Sequence, residues 1–218
     1  MTDHGDASTV ERVFRQEYGR AVSVLARAFG DIDLAEEGVQ EAFAVAAQRW
    51  ATDGVPASPA GWIITTARHR IVDRLRREAS REDRHAQAAL LHAREERDEE
   101  LAVRDDRLRL IFTCCHPALA PETQVALALR TLCGLTTEAI ARAFLVPETT
   151  VAQRIVRAKR TLAEKQVPFE VPRGRELSER LLSVLEVIYL IFNEGYSATA
   201  GDDWLRPALC EDALRLGR

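Results

Sequence analysis

The sequence predicts an all-α protein: two small helical domains joined by a charged linker, then a C-terminal helical extension. Three observations carry this. Alanine, leucine, arginine and glutamate dominate, and only 11 glycines and 8 prolines interrupt 218 residues, a mix that favours helix. Apolar residues recur at three- and four-residue spacing along most of the chain, and no stretch alternates as a half-buried strand would. The periodicity breaks at Gly, at Pro, or in runs of mixed charge.

The elements follow in order. Helical spacing runs from Val10 to Phe29 and stops at Gly30-Asp31. Asp31 or Asp33 can cap the next helix, which continues to about Trp50 with its acids in the first turns, where the helix dipole favours them. ATDGVPAS (51–58) is a loop by composition. Ser58-Pro59 supplies a cap and a first helical position for a helix from Ala60 to about Arg77. From Arg81 to Arg107 apolar residues thin out and charges mix, which predicts a partly helical linker. Periodicity resumes at Leu108, is cut by Pro117, and restarts after Pro121 as far as Gly134. Two helices, about 137–144 and 148–164, then flank the tripeptide LVP. After a second linker, PFEVPRG (168–174), a strongly apolar helix spans Leu177 to Phe192, and a short amphipathic helix closes the chain. The expected domains are therefore 8–80 and 108–166, with a linker at 81–107 and an extension at 175–218.

Totals restrict the function classes. The four cysteines lack the spacing of a disulfide framework, which suits a reducing, cytoplasmic setting. No signal peptide is recognised, and VLEVIYLIF (184–192) is too short to span a membrane and contains Glu186. A net charge of −4 excludes a uniformly basic nucleic-acid binder, but the charges are segregated. Residues 31–53 hold six acids against Arg49, residues 61–81 six arginines against two acids, and residues 136–165 six bases against three acids. Local fields of opposite sign suit a protein with more than one kind of macromolecular partner. No Gly-rich phosphate loop, paired catalytic acids or CxxC points to an enzyme, so no catalytic residue and no cofactor is expected.

LTTEAIARAFLVPETTVAQRIVRAKRTL (135–162) carries the most information. Ile140, Ala141 and Phe144 face inward on its first helix, and Val151, Ile155 and Leu162 on its second. A short helix, tight turn and longer basic helix form a helix-turn-helix, whose second helix enters the DNA major groove. Thr149, Thr150, Gln153, Arg154, Arg157, Lys159 and Arg160 project between the buried positions. Gln can bond adenine bidentately, Arg can do so with guanine, and the remaining bases suit phosphates. The plainer alternative is an antiparallel helix pair with a solvated basic face.

DLAEEGVQEAFAVAAQRW (33–50) followed by GWIITTARHRIVDRLRRE (61–78) resembles regions 2.2 to 2.4 of the extracytoplasmic-function sigma factors. The helix-turn-helix domain resembles region 4 of the same family, and together the matches cover about residues 8–165. The resemblance implies that Glu36, Glu37, Gln40 and Glu41 dock on the clamp of the RNA polymerase largest subunit. It implies that the helix 60–77, with Trp62, Thr66, His69, Arg70, Arg74, Arg76 and Arg77, recognises and melts the −10 promoter element. A base extruded from the strand would be held by the loop within Thr52 to Ser58, and the helix 148–160 would read the −35 element. Arginines beside an aromatic suit unpaired DNA, although Trp62 reads equally well as core. Asp73 is expected to anchor a neighbouring arginine.

Several positions depart from the family pattern. Gly38 replaces a usual leucine, at a cost of about 1 kcal/mol in helix propensity and some packing. His69 replaces Asn, Ala139 replaces Glu, and Ala152-Gln153 replaces a basic-then-small pair. Leu145 replaces the turn glycine, where positive φ is cheap only for Gly.

VIYLIFNEGYSA resembles the start of a C-terminal extension found in one subgroup of the family, where it precedes helical repeats. Leu181, Leu182, Leu185, Ile188, Tyr189, Ile191 and Phe192 make its helix apolar on most faces, so it is expected to bury against something. It either stabilises region 4 passively or regulates the sigma domains in place of a separate anti-sigma factor. The rival to a sigma factor is a stand-alone helix-turn-helix regulator that binds duplex DNA without polymerase.

FTCCHPAL (112–119) resembles an active site at first sight, with Cys114, Cys115 and His116 in a row. Adjacent helical cysteines point about 100° apart and can neither bridge each other nor chelate one metal well. No metal site is expected, and the pair reads as core filling at a helix end, with a redox contact to Cys133 as the open alternative.

Overall fold

Each helix begins and ends where the sequence supplies a cap or a breaker. A computed structural model describes residues 7–78, 99–196 and 207–217. The nine helices among these are α1 (Ala7–Phe29), α2 (Ile32–Asp53) and α3 (Pro59–Glu78), then α4 (Glu99–Cys114) and α5 (Pro121–Cys133). They continue with α6 (Thr137–Ala143), α7 (Glu148–Glu164), α8 (Arg175–Tyr196) and α9 (Pro207–Leu216). Asp31 caps α2 by accepting from the Leu34 N–H at 3.0 Å, and Thr136 caps α6 by accepting from Ala139 N–H at 3.1 Å. Pro121 opens α5, and Gly134 ends it in the left-handed region at φ +66°.

Helices α1, α2 and α3 form one helical unit, and α4 to α7 form a second. Part of the linker is helical, as its composition predicts. Helix α4 starts at Glu99, so the last nine residues of the expected linker, 99–107, are helical; the rest of that linker lies outside the described residues. Asp106 fastens this helix to α1. Its carboxylate is fully buried and pairs with Arg109 one turn on, at 2.7 Å, and with Arg27 of α1 at 2.8 Å. A tertiary ion pair of this kind leaves no trace in hydrophobic periodicity.

The two units are packed on each other through α1, which lies against α4 and α5 as well as α2 and α3. Tyr18, Val22 and Leu25 of α1 belong to the same buried cluster as Trp50, Ile63 and Ile71 on one side and Leu110, Ile111 and Leu127 on the other. Two glycines permit close crossings, one between the units and one within the first. A Cβ on Gly19 would lie 1.9 Å from the Leu132 carbonyl oxygen, so only glycine allows α1 and the end of α5 to approach as they do. Gly38 corrects the expectation of lost packing. A Cβ there would lie 2.6 Å from Ile71 Cγ1, so the missing side chain is what lets α2 and α3 cross closely.

Helix α8 leans on α5 and α4, and α9 folds back on α8. Val184, Val187 and Ile191 are buried along it. The helix thus buries one apolar face, as expected, while Leu181, Leu182, Leu185 and Tyr189 stay exposed, Leu182 by 74 %. A shallow apolar cavity of about 310 Å³ lies between α8 and α9 beside this exposed face.

Candidate nucleic-acid interface

Helices α6 and α7 meet at the turn Phe144–Pro147. Val151, Ile155, Ala158 and Leu162 of α7 are buried, as are Ile140 and Ala141 of α6. The turn is closed by Leu145 N–H to Arg142 O at 3.2 Å and Val146 N–H to Ala141 O at 3.1 Å. Leu145 adopts φ +53°, the left-handed conformation expected at this position.

The burial phase leaves one face of α7 open. Thr149, Gln153, Arg157 and Arg160 are exposed, while Thr150 and Arg154 are half-buried beside them. Arg160 donates to Glu164 at 2.6 Å. Val156 is 66 % exposed on the same face and was not among the expected site residues. The signal was available, since Val156 falls out of phase with Val151, Ile155 and Leu162. An exposed valine beside Gln153 and Arg157 offers apolar contact to a thymine methyl.

On α3, His69, Arg70, Arg76 and Arg77 are exposed, and Trp62 and Thr66 half-buried. Trp62 packs edge-on against the buried Trp50, with ring centroids 5.4 Å apart, so it forms the rim of the core. Asp73 behaves as expected: its carboxylate lies 4.0 Å from Arg76, and its carbonyl accepts from Arg77 at 3.2 Å. Arg74 pairs across the helix crossing with Glu37.

The acidic start of α2 divides in two. Glu37, Gln40 and Glu41 are exposed, as a docking surface requires. Glu36 is not; it is 3 % exposed. Tyr18 donates to its Oε1 at 3.1 Å, Arg130 of α5 lies 3.5 Å from the same oxygen, and Lys159 of α7 donates to Oε2. Lys159 also donates to Asp33 at 2.6 Å. Lys159 therefore differs from the other expected DNA contacts, because its ammonium is turned into the junction between the two units. Burial lowers its pKa, but Glu36 and Asp33 outweigh that and hold it above the usual lysine value. Burial, followed by the charge of Glu36, pushes the Tyr18 phenol up, which keeps it a donor.

FTCCHPAL closes α4 as core. Cys114 and Cys115 are both buried, and all four cysteines are free thiols. Cys114 Sγ lies 3.4 Å from Thr131 Oγ1, and burial pushes its thiol up to about 12; burial raises Cys115 as well. His116 is lowered by burial and by Arg180, and its Nδ1 accepts from Ala118 N–H at 3.1 Å. These shifts run against a reactive thiolate.

Arg180 fastens the extension to this helix end. It is 8 % exposed, donates to the Phe112 carbonyl, pairs with Glu176 at 2.8 Å, and stands 5.7 Å from the centre of the Phe112 ring. A cation on the last carbonyls of α4 also complements that helix's dipole. Among the described residues no helix is long and apolar enough to cross a membrane.

Comparison with known proteins fits this geometry. Residues 13–81 match Sigma-70 region 2, residues 109–162 match Sigma-70, region 4, and residues 180–218 match a family of unknown function (DUF6596). The chain is 45 % identical over 206 residues to the uncharacterized protein R00370 of Rhizobium meliloti (strain 1021). That alignment takes in 91 % of this chain and 48 % of the relative, so the chain spans about half the relative's length. No solved structure matches the chain significantly.

Proposed function

We propose, from the premise that this chain belongs to the sigma-70 family as a factor of the extracytoplasmic-function type, that it binds core RNA polymerase and directs promoter-specific initiation. Helix α7 reads the −35 element, with Gln153 and Arg157 on base edges, Val156 on a thymine methyl, and Arg154 and Arg160 on phosphates. Helix α3 and the loop before it bind the −10 element, where exposed arginines hold the backbone of the melted strand. Glu37, Gln40 and Glu41 dock on the basic clamp of the largest subunit, and charge complementarity steers that encounter. The factor acts in the cytoplasm, and no cofactor or catalytic step belongs to this reading.

The observation that carries it is the succession of region 2 and region 4 in one chain, each with an open face of the sign its partner requires. A repressor needs the exposed row on α7 but has no use for an acidic docking helix beside an arginine-rich one. Run-off transcription with purified core enzyme tests the reading. A promoter-specific transcript that depends on the protein is expected. A protein that footprints duplex DNA alone and gives no run-off product is instead a stand-alone regulator.

The extension regulates the sigma regions in place of a separate anti-sigma factor. Arg180 supports this, because it couples α8 directly to the last turn of α4. Removing residues 170–218 is expected to change promoter-specific output; unchanged activity and induction sink the idea.

A further inference from the structure

We propose that the side of α8 left uncovered by the described residues is the interface of a two-fold dimer, in which it meets a second copy of this chain running antiparallel. Helix α8 carries two apolar stripes. Val184, Val187 and Ile191 form one, which is buried where α8 meets α4, α5 and α9. Leu182, Leu185, Tyr189, Phe192 and Tyr196 form the other, at intervals of three, four, three and four residues. Two helices share a seam by that spacing, and here it runs along about 21 Å of helix. Four of the five are exposed, Tyr189 by 63 % and Tyr196 by 66 %. Phe192 is half-buried, with its ring stacked on Tyr196 at 6.2 Å between centroids.

Area and shape both fit a second copy. With Leu181 beside the seam and Leu214 across from it on α9, the exposed apolar surface comes to roughly 700 Å², taking about 100–250 Å² for each such side chain when covered. The largest apolar patch on a monomer is about 300–600 Å², whereas a stable interface takes about 800 Å² from each partner. The face also holds both halves of a fit. Leu182 stands out from α8, and next to it lies the cavity lined by Leu185, Tyr189, Phe192 and Leu214. A surface with both a knob and a hole is complementary to itself, as a two-fold axis requires.

The direction follows from the order of the side chains. Tyr189 is the middle of the seam, seven residues from Leu182 and seven from Tyr196. An axis through it lays Leu182 on Tyr196 of the partner subunit and Leu185 on Phe192 of the partner subunit. Leucines then meet aromatic rings at every step but the centre. Glu186 comes beside Asn193 of the partner subunit, where the amide donates to the carboxylate; both positions are exposed, and the pair gives the seam a polar edge. A parallel pair would instead crowd the two α4 ends together, because Arg180 ties that end of α8 to the Phe112 carbonyl. Pairing through α8 needs neither polymerase nor DNA, so it stands or falls separately from the sigma-factor reading.

Sedimentation equilibrium of the full chain, from low to high micromolar concentration, tests the interface. The wild type should approach twice the 24.4 kDa of one chain. Leu182→Arg should weaken pairing by about thirtyfold or more, since each copy loses an anchor at two symmetric contacts. Tyr189→Glu should abolish it by bringing two carboxylates together on the axis. Both residues face solvent, so circular dichroism of either variant should match the wild type. Leu145→Gly, at another exposed leucine away from this face, should leave the mass unchanged. Engineered thiols read the direction: Leu182→Cys and Tyr196→Cys chains, mixed under mild oxidant, should cross-link to each other beyond any wild-type background. Leu182→Cys chains alone should not. A wild type of single-chain mass throughout overturns the dimer, leaves the face to a different partner, and does not touch the sigma-factor reading if that chain still yields a run-off transcript. A dimer that both charged variants leave intact overturns this interface, and Leu182→Cys cross-linking to itself overturns the antiparallel arrangement.

Discussion

Leu145→Gly should stabilise the protein, although it removes a large apolar side chain from the centre of the helix-turn-helix. Leu145 is 87 % exposed, so its removal forfeits almost no buried area. Its φ of +53° costs a residue with a Cβ about 1–2 kcal/mol, which glycine does not incur. Both backbone bonds that close the turn, Leu145 N–H to Arg142 O and Val146 N–H to Ala141 O, survive the change. Against the gain stands the greater freedom of glycine in the unfolded chain, worth about 0.4–1 kcal/mol. The balance is a gain of about 0.5–1 kcal/mol. For a chain of this size it corresponds to a rise in Tm of roughly 1–4 °C. Urea and thermal unfolding, followed by circular dichroism, measure it. Leu145→Ala is the control, since alanine removes the same exposed surface but keeps the Cβ in the left-handed region. If alanine stabilises as much as glycine, the backbone argument is wrong and exposed apolar surface was the burden.

Gly38→Ala should destabilise by about 1 kcal/mol, because a Cβ 2.6 Å from buried Ile71 overpacks the crossing by more than alanine's helix propensity returns. Combined with Ile71→Ala, which is itself costly, the two losses should be less than additive, giving a favourable coupling in a double-mutant cycle. Native thiol titration at pH 8 should leave Cys114 and Cys115 unreacted, and denaturant should release all four thiols. The folded state keeps the Cys114 proton up to about 12, whereas an unfolded thiol loses it near 9. Stability from this group is therefore complete below pH 9 and declines as pH rises toward 12, by about 1.4 kcal/mol per pH unit. A plateau across that range in the Cys114→Ala difference curve would contradict the assignment. Arg180→Met should cost about 2–3 kcal/mol, since it removes charged hydrogen bonds to Phe112 and Glu176, and amide exchange should accelerate first in α8.

Features written in local chemistry were legible. Asp31, Pro59, Pro121, Thr136 and Gly134 mark helix boundaries through capping and backbone geometry, which need no knowledge of distant residues. The turn at Leu145 and the buried row of α7 are of the same kind, and so is the exposed polar row that faces away from it. Three features escaped because their causes lie elsewhere in the chain. Residues 99–107 are helical, as a partly helical linker requires, but the pairing of buried Asp106 with Arg27, 79 positions away, leaves no trace in periodicity. The role of Gly38 belongs to the opposing Ile71 side chain. For α8, composition reveals an apolar excess, while only the packing shows that Val184, Val187 and Ile191 are covered and Leu182 is not.

Glu36 shows where local reading misleads. Four polar residues within two turns form one patch in sequence, yet the helix carries Glu36 inward while Glu37, Gln40 and Glu41 face out. Segregated charge that suits two external partners also makes the two segments complementary to each other. Joined in one chain, they meet at an effective concentration in the millimolar range. Charge alone would leave that contact loose and easily screened by salt. Gly19 changes the balance, because backbone-to-side approach at Leu132 excludes water and seats Lys159 beside Glu36 in a buried junction. Salt should therefore open the two units far less readily than a single methyl group at position 19.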